Sequence, residues 1–277
     1  MRVKRRSVLS PCPGPSCELV LSTPPAVAPF PVRLPPTGPG QARQQLEGVI
    51  DQGRTASGKG AQAKGAGPLE GTALSEWAAG WQPEEPALVS ARQRAAEVGV
   101  AAVDPMTGAT LRLLAAAATA KAVIELGTGA GVSSLWLLGG MRPDGVLTTV
   151  DAESEHQRLA KASLAEAGLT GGRARLIHGR ALDVLPRLSD GAYDLLFCDA
   201  NRSENGDYLT AALRLLRPGG LVVFAGALGG GRIAEASARD ADTVAQRELA
   251  KALREEPRVV AGAIPVGTGL LVGARTG

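Results

Sequence analysis

Three glycines at alternate positions, Gly127, Gly129 and Gly131, follow a short apolar run, Ala122–Leu126, and precede a helical pattern that begins at Val132. A strand, a glycine turn and a helix in that order let backbone come close to a nucleotide-like ligand. The spacing is G-x-G-x-G rather than the dinucleotide fingerprint G-x-G-x-x-G, and Glu125 stands just ahead of the first glycine. A pyrophosphate is repelled by such a carboxylate, whereas a ligand carrying an ammonium and a sulfonium is attracted. Glu125 and the spacing therefore favour S-adenosylmethionine over NAD; the plain alternative is an ordinary strand-to-helix turn. Ser133, in the first helical turn, offers a hydroxyl beside free N–H groups that can hold a carboxylate, or it simply caps the helix. Asp151 closes the second strand, where it can accept both ribose hydroxyls and also cap the next helix. Asp199 follows Leu195-Leu196-Phe197-Cys198, an acid that either faces a methyl donor or a metal or starts a loop.

These residues need a scaffold that delivers them to one crevice. Apolar patterning predicts helices over 84–98 and from Asp104-Pro105 to about Ala118, with Asp as cap and Pro in the first turn. After the glycine turn, strands and helices alternate. Strands are expected at Gly145–Val150, Ala174–His178, Tyr193–Asp199 and Leu221–Ala225. Helices are expected at Glu153–Ala167, Ala181–Leu188, Asp207–Leu216 (stopped by Pro218-Gly219-Gly220) and Ala241–Glu255. The last two runs, Val259–Val266 and Leu270–Ala274, are separated by only Gly267-Thr268-Gly269, which makes a hairpin and not a parallel crossover. Five helix-linked strands closed by an antiparallel hairpin is the plan of the class I methyltransferase fold: an α/β, Rossmann-like, seven-stranded, mostly parallel sheet with helices on both faces. In an open parallel sheet, ligands bind beyond the carboxyl ends of the strands. That gathers Glu125–Gly131, Asp151, Gly179–Ala181 and Asp199–Arg202 around one crevice. His156 reads as solvent-facing and His178 as a packed edge residue, so neither is a candidate base.

Composition narrows the classes further. The chain has 277 residues and a net charge of +3, but residues 1–65 hold nine Lys/Arg against three acids. The basic excess thus sits in the N-terminal stretch, and the remainder has no charge surplus for nucleic acid. Aromatics are only 3%, too few for a base-stacking platform. No apolar run approaches the roughly 20 residues of a membrane helix. The pair Arg5-Arg6 superficially looks like an export signal, but Pro11, Pro13 and Pro15 interrupt the apolar stretch that should follow. Together with an intracellular cofactor, this gives a cytoplasmic expectation. Cys12, Cys17 and Cys198 form no disulfide or zinc pattern; Cys198 reads as a buried core residue. Ten prolines in residues 1–40, then a Gly/Ala/Gln/Ser-rich stretch, predict that residues 1–80 are mostly disordered, apart from a short helix around Gln41–Asp51, and that the folded domain is 81–277.

From about Glu84 to Arg275 the chain resembles bacterial O-methyltransferases related to catechol and caffeoyl-CoA O-methyltransferases. The matching pieces are Val123–Ser133, Leu147–Asp151, Tyr193–Ala200 and Leu215–Val223, in the expected order. The resemblance implies cofactor contacts at Val103, Glu125, Gly127, Thr128, Ser133, Asp151, Ala152, Ala181 and Asp199, with Gly129 completing the loop. It also implies a homodimer. Metal-dependent members carry D-A-D-K after the fourth strand and D-N after the fifth. Here the first reads Asp199-Ala200-Asn201-Arg202 and the second Ala225-Gly226. One carboxylate and one Asn are thin support for a hard divalent cation. Arg202 replaces the lysine that can deprotonate a substrate, and a guanidinium keeps its proton. The expected activity is thus transfer of a methyl group from S-adenosylmethionine to a small-molecule hydroxyl, without a metal. Asp199 would orient the site or accept a proton, and Arg202 would hold an anionic substrate. A cofactor-binding protein without turnover, and an NAD-dependent oxidoreductase, are the rival readings.

Overall fold

Alternating faces of the buried strands organise the molecule. In the computed structural model, which describes residues 73–169 and 172–277, β1 (Ala122–Leu126) sends Val123 to one apolar cluster and Ile124 and Leu126 to the other. In β4 (Tyr193–Cys198), Leu195 and Phe197 face the first cluster and Leu196 and Cys198 the second, the period-2 signature of a strand covered on both sides. The first cluster is closed by α2 (Pro86–Glu97), α3 (Pro105–Ala117), α4 (Val132–Gly140) and α5 (Ser154–Glu166) through Ala91, Leu111, Trp136 and Leu164. The second is closed by α6 (Ala181–Val184), α7 (Asn205–Leu215) and α8 (Ala241–Glu255) through Val184, Tyr208, Leu249 and Leu253.

With β2 (Val146–Asp151), β3 (Ala174–His178), β5 (Leu216–Phe224), β6 (Val259–Ile264) and β7 (Leu270–Arg275), the strands form a seven-stranded sheet of order β3-β2-β1-β4-β5-β7-β6. The first five pair in parallel; β7 runs antiparallel between β5 and β6. The seven-stranded α/β plan with its terminal hairpin is therefore the one expected. The strand order reverses direction at β1/β4, which is where an open sheet leaves a crevice.

Two local differences have physical causes. Pro218-Gly219-Gly220 does not separate helix from strand. Strand β5 begins at Leu216, which pairs with Tyr193, and the register then jumps to Leu221 opposite Leu195, so the Pro-Gly-Gly segment is accommodated as a bulge. A helix α1 also spans Ala73–Gly80, just ahead of the expected domain boundary at 81, and Trp77 and Trp81, four residues apart, bring their tilted rings to a centroid distance of 4.9 Å. The helix expected around Gln41–Asp51, and Cys12 and Cys17, lie outside the described residues. Cys198 is buried. Among the described residues no helix is long and apolar enough to cross a membrane.

Candidate active site

The end of β1 is carried past its last residue by ladder bonds to both neighbours. Gly127 N–H donates to Val150 carbonyl (2.9 Å), and Asp199 N–H donates to Leu126 carbonyl (2.8 Å). The chain then turns through Gly127 at φ +90°, where a Cβ would stand 2.1 Å from the Asp199 carbonyl oxygen. Only glycine fits there, and the fit holds the β1 and β4 loops together. Gly131, at φ +87°, caps α4 in the left-handed conformation and lets the loop lie against Ala160 of α5.

The carboxylate of Asp151 fastens this turn. Its Oδ2 accepts from Thr128 N–H (2.9 Å) and Gly129 N–H (3.0 Å), and its Oδ1 accepts from Glu153 N–H (2.9 Å). His156, in the first turn of α5, folds back so that Nδ1 lies 3.2 Å from both Asp151 oxygens. A carboxylate accepting from N–H groups assigns the proton to His156 Nδ1. The two loop N–H groups a pyrophosphate would need are thus already taken.

Two adjoining cavities meet at Gly127, Asp151, His156 and Asp199. The smaller, about 120 Å³, is walled by Val100–Val103, the glycine loop and Ser133. The larger, about 410 Å³, reaches Ala152, Ala181, Asn201, Glu204 and Tyr208. No Lys or Arg lines the smaller one. Asp199 borders both cavities and is exposed as a residue, while partial desolvation of its carboxylate by the surrounding loops pushes its pKa up to about 6, against the opposing pull of Arg202. Among the described residues nothing hydrogen-bonds this carboxylate. An acid at the cavity junction and a second acid bound to the glycine loop suit a ligand with a cation and a diol.

Of the residues expected at the cofactor, Val103, Gly127, Thr128, Gly129, Ser133, Asp151 and Asp199 line the smaller cavity, and Ala152 and Ala181 the larger. Glu125 lines neither. Strand alternation sends it to the face of Val123, beneath α4, where Ser134 Oγ donates to Oε2 and Oε1 has no partner. Full burial pushes its pKa up to about 7, opposed by the hydroxyls of Ser133, Ser134 and Thr149. Arg202 lines neither cavity; its guanidinium pairs with Asp242 at 2.8 Å and lies over Gly226. His156, expected to face solvent, is a site residue. Its signal was a histidine in the first turn of a helix that follows a strand-ending acid. Glu204 and Tyr208 were also missed. Among the described residues no group of three His, Cys, Asp or Glu is placed to hold a metal ion.

Fold and site together define a class I methyltransferase-type domain, with its ligand crevice at the β1/β4 switch point. The O-methyltransferase family model matches residues 86–276. A Mycolicibacterium vanbaalenii protein, provisionally named as an O-methyltransferase, is 51% identical over 192 residues, 69% of this chain and 85% of that one. Among solved structures, an O-methyltransferase from Streptomyces achromogenes in complex with SAM is 35% identical with TM-score 0.64, covering 70% of this chain and 92% of its own. One from Bacillus cereus in complex with SAH is 27% identical with TM-score 0.68, covering 74% and 98%. The chain belongs to the O-methyltransferase family.

Proposed function

We propose that residues 81–277 form an S-adenosylmethionine-dependent O-methyltransferase that acts on a small-molecule hydroxyl without a metal ion. The observation that carries the cofactor reading is Asp151 seated on the glycine-loop N–H groups, at the junction of two cavities that share Asp199. S-adenosylmethionine, when bound, supplies a methyl group on a positively charged sulfur. Asp151, on the wall that both cavities share, would take the ribose hydroxyls, and Ser133 with the first-turn N–H groups of α4 the carboxylate end. Val103 packs beside them. Asp199 faces the cation and, ionised above about pH 6, accepts the proton of the acceptor hydroxyl. Much of the acceleration would come from holding the two partners in line. Arg202 pairs with Asp242 outside both cavities, so it would meet an anionic acceptor only by exchanging that partner.

Metal independence rests on the donor set. Asn201, Ala225 and Gly226 leave Asp199 as the sole carboxylate of that cluster, and a hard divalent cation takes six to eight oxygens. A homodimer and a cytoplasmic location, which the family resemblance and the cofactor imply, belong to the same proposal; light scattering of the full chain reads the first. Transfer of labelled methyl to a panel of phenols should proceed equally with EDTA and with added Mg²⁺. Activity abolished by EDTA and restored by Mg²⁺ would overturn the metal-free reading.

A further inference from the structure

The larger cavity contains a polar assembly that neither the glycine loop nor the methyl-transfer reading uses. Glu204 lies on its wall, its side chain 19% exposed. Tyr208, itself buried, donates its hydroxyl to Oε2 at 2.5 Å, and Arg180 donates to Oε1 at 3.2 Å. The Tyr208 hydroxyl, then the Arg180 guanidinium, hold the carboxyl below its ordinary range, so Glu204 presents an acceptor and no proton. Both oxygens are thereby oriented, each retaining a lone pair. A lone surface carboxylate needs no tyrosine brace from inside the core; one built to accept a hydrogen bond at a fixed place does.

The arrangement of the cavities says which ligand group meets it. Asp151, the ribose acceptor of the proposed function, stands where the cavities join. On that reading the amino-acid arm would take the smaller cavity, which Ser133 lines, leaving the base to the larger, about 410 Å³, whose wall carries Glu204. Leu182, next to Ala181 on that side, is packed in the apolar cluster and offers the base no polar group. We infer that Glu204, positioned by Tyr208 and Arg180, accepts a hydrogen bond from the exocyclic amine of the cofactor's purine and so selects a 6-amino over a 6-oxo base. This rests on the S-adenosylmethionine reading and adds a specificity residue to it. A 6-oxo purine turns a carbonyl oxygen toward the carboxylate, two acceptors with no proton between them, and discrimination between such isosteres comes from the group left unpaired.

The test is calorimetric titration of the full chain with S-adenosylhomocysteine and with its deaminated counterpart, S-inosylhomocysteine. Wild type should prefer the amino compound by about 10- to 100-fold. Glu204→Gln, equal in shape, can turn its amide to donate to the 6-oxo group; it should bind the amino compound more weakly and the oxo compound more tightly, so that the preference collapses or reverses. Tyr208→Phe should narrow the preference without reversing it. A merely structural role would weaken both ligands in parallel. Equal wild-type affinity for the two compounds, or a parallel loss in Glu204→Gln, would overturn the inference while leaving S-adenosylmethionine binding intact. Binding of neither compound by wild type would remove the cofactor reading itself and this inference with it.

Discussion

Replacing Gly127 by alanine tests the joint on which the site depends. The new Cβ would lie 2.1 Å from the carbonyl oxygen of Asp199 and 2.8 Å from its carbonyl carbon. Carbon-to-oxygen contacts normally start near about 3.3 Å, so the two loops must part by roughly 1.2 Å. The backbone also sits at φ +90°, a conformation that costs an L-residue about 1–2 kcal/mol. Forcing packed backbone apart adds about 1–3 kcal/mol. The sum, about 2–5 kcal/mol, is a large share of the 5–15 kcal/mol typical of a domain. With a slope of about 2 kcal/mol/M, the urea midpoint should fall by about 1–2.5 M. Because the displaced residue is Asp199, S-adenosylmethionine affinity measured in the remaining folded protein should fall at least about tenfold. Gly206→Ala is the matched control: it lies in α7, no atom stands within 4 Å of its added Cβ, and it should be neutral or stabilise by up to about 1 kcal/mol. A Gly127→Ala protein with an unchanged midpoint and unchanged cofactor affinity would refute this account of the turn.

Three further outcomes follow from the site. The raised pKa of Glu125 means that the folded chain holds a proton the unfolded chain releases; ligand-free stability should therefore be greatest below about pH 4.5 with respect to this group and fall by up to about 3 kcal/mol as pH rises through about 7. Glu125→Gln should flatten that part of the urea-midpoint profile, and an unchanged profile would contradict the assigned burial effect. Asp199→Asn should lower kcat by about 100-fold and remove the acidic limb, near pH 6, from the kcat/KM profile for S-adenosylmethionine, which reports the free enzyme. His156→Ala leaves Asp151 on its backbone donors alone, so S-adenosylmethionine should bind about 3- to 10-fold more weakly while the urea midpoint moves by no more than about 0.5 M.

What could be read in the sequence was whatever is local or periodic. The run Ala122–Leu126 is a strand over that span, and Ala241–Glu255 a helix over that span, because apolar period and capping residues act within a few positions. The crevice residues Ser133, Asp151 and Asp199 were legible because each closes a strand or opens a helix on the same edge of the sheet. Contacts that join distant segments were not. Arg202 was visible as a cation, but its partner Asp242 lies forty positions away and draws the guanidinium off the cavities. Glu125 was legible as a carboxylate ahead of the glycines, but its bond from Ser134 under α4, across nine positions, was not. His156 was taken as a surface residue because a helix start usually faces water; the strand-ending Asp151 supplies the reason it folds inward. The bulge in β5 escaped notice because Pro-Gly-Gly ordinarily ends an element, whereas here the flanking Leu216 and Leu221 both find partners on β4.

Calorimetric titration of the full chain with S-adenosylmethionine and with NAD, on wild type and on Asp151→Ala, is the most direct test of the central claim. The account predicts one S-adenosylmethionine per chain, no heat from NAD, and loss of S-adenosylmethionine binding when Asp151 is removed. NAD binding in place of S-adenosylmethionine, or undiminished S-adenosylmethionine binding by the Asp151→Ala protein, would contradict it.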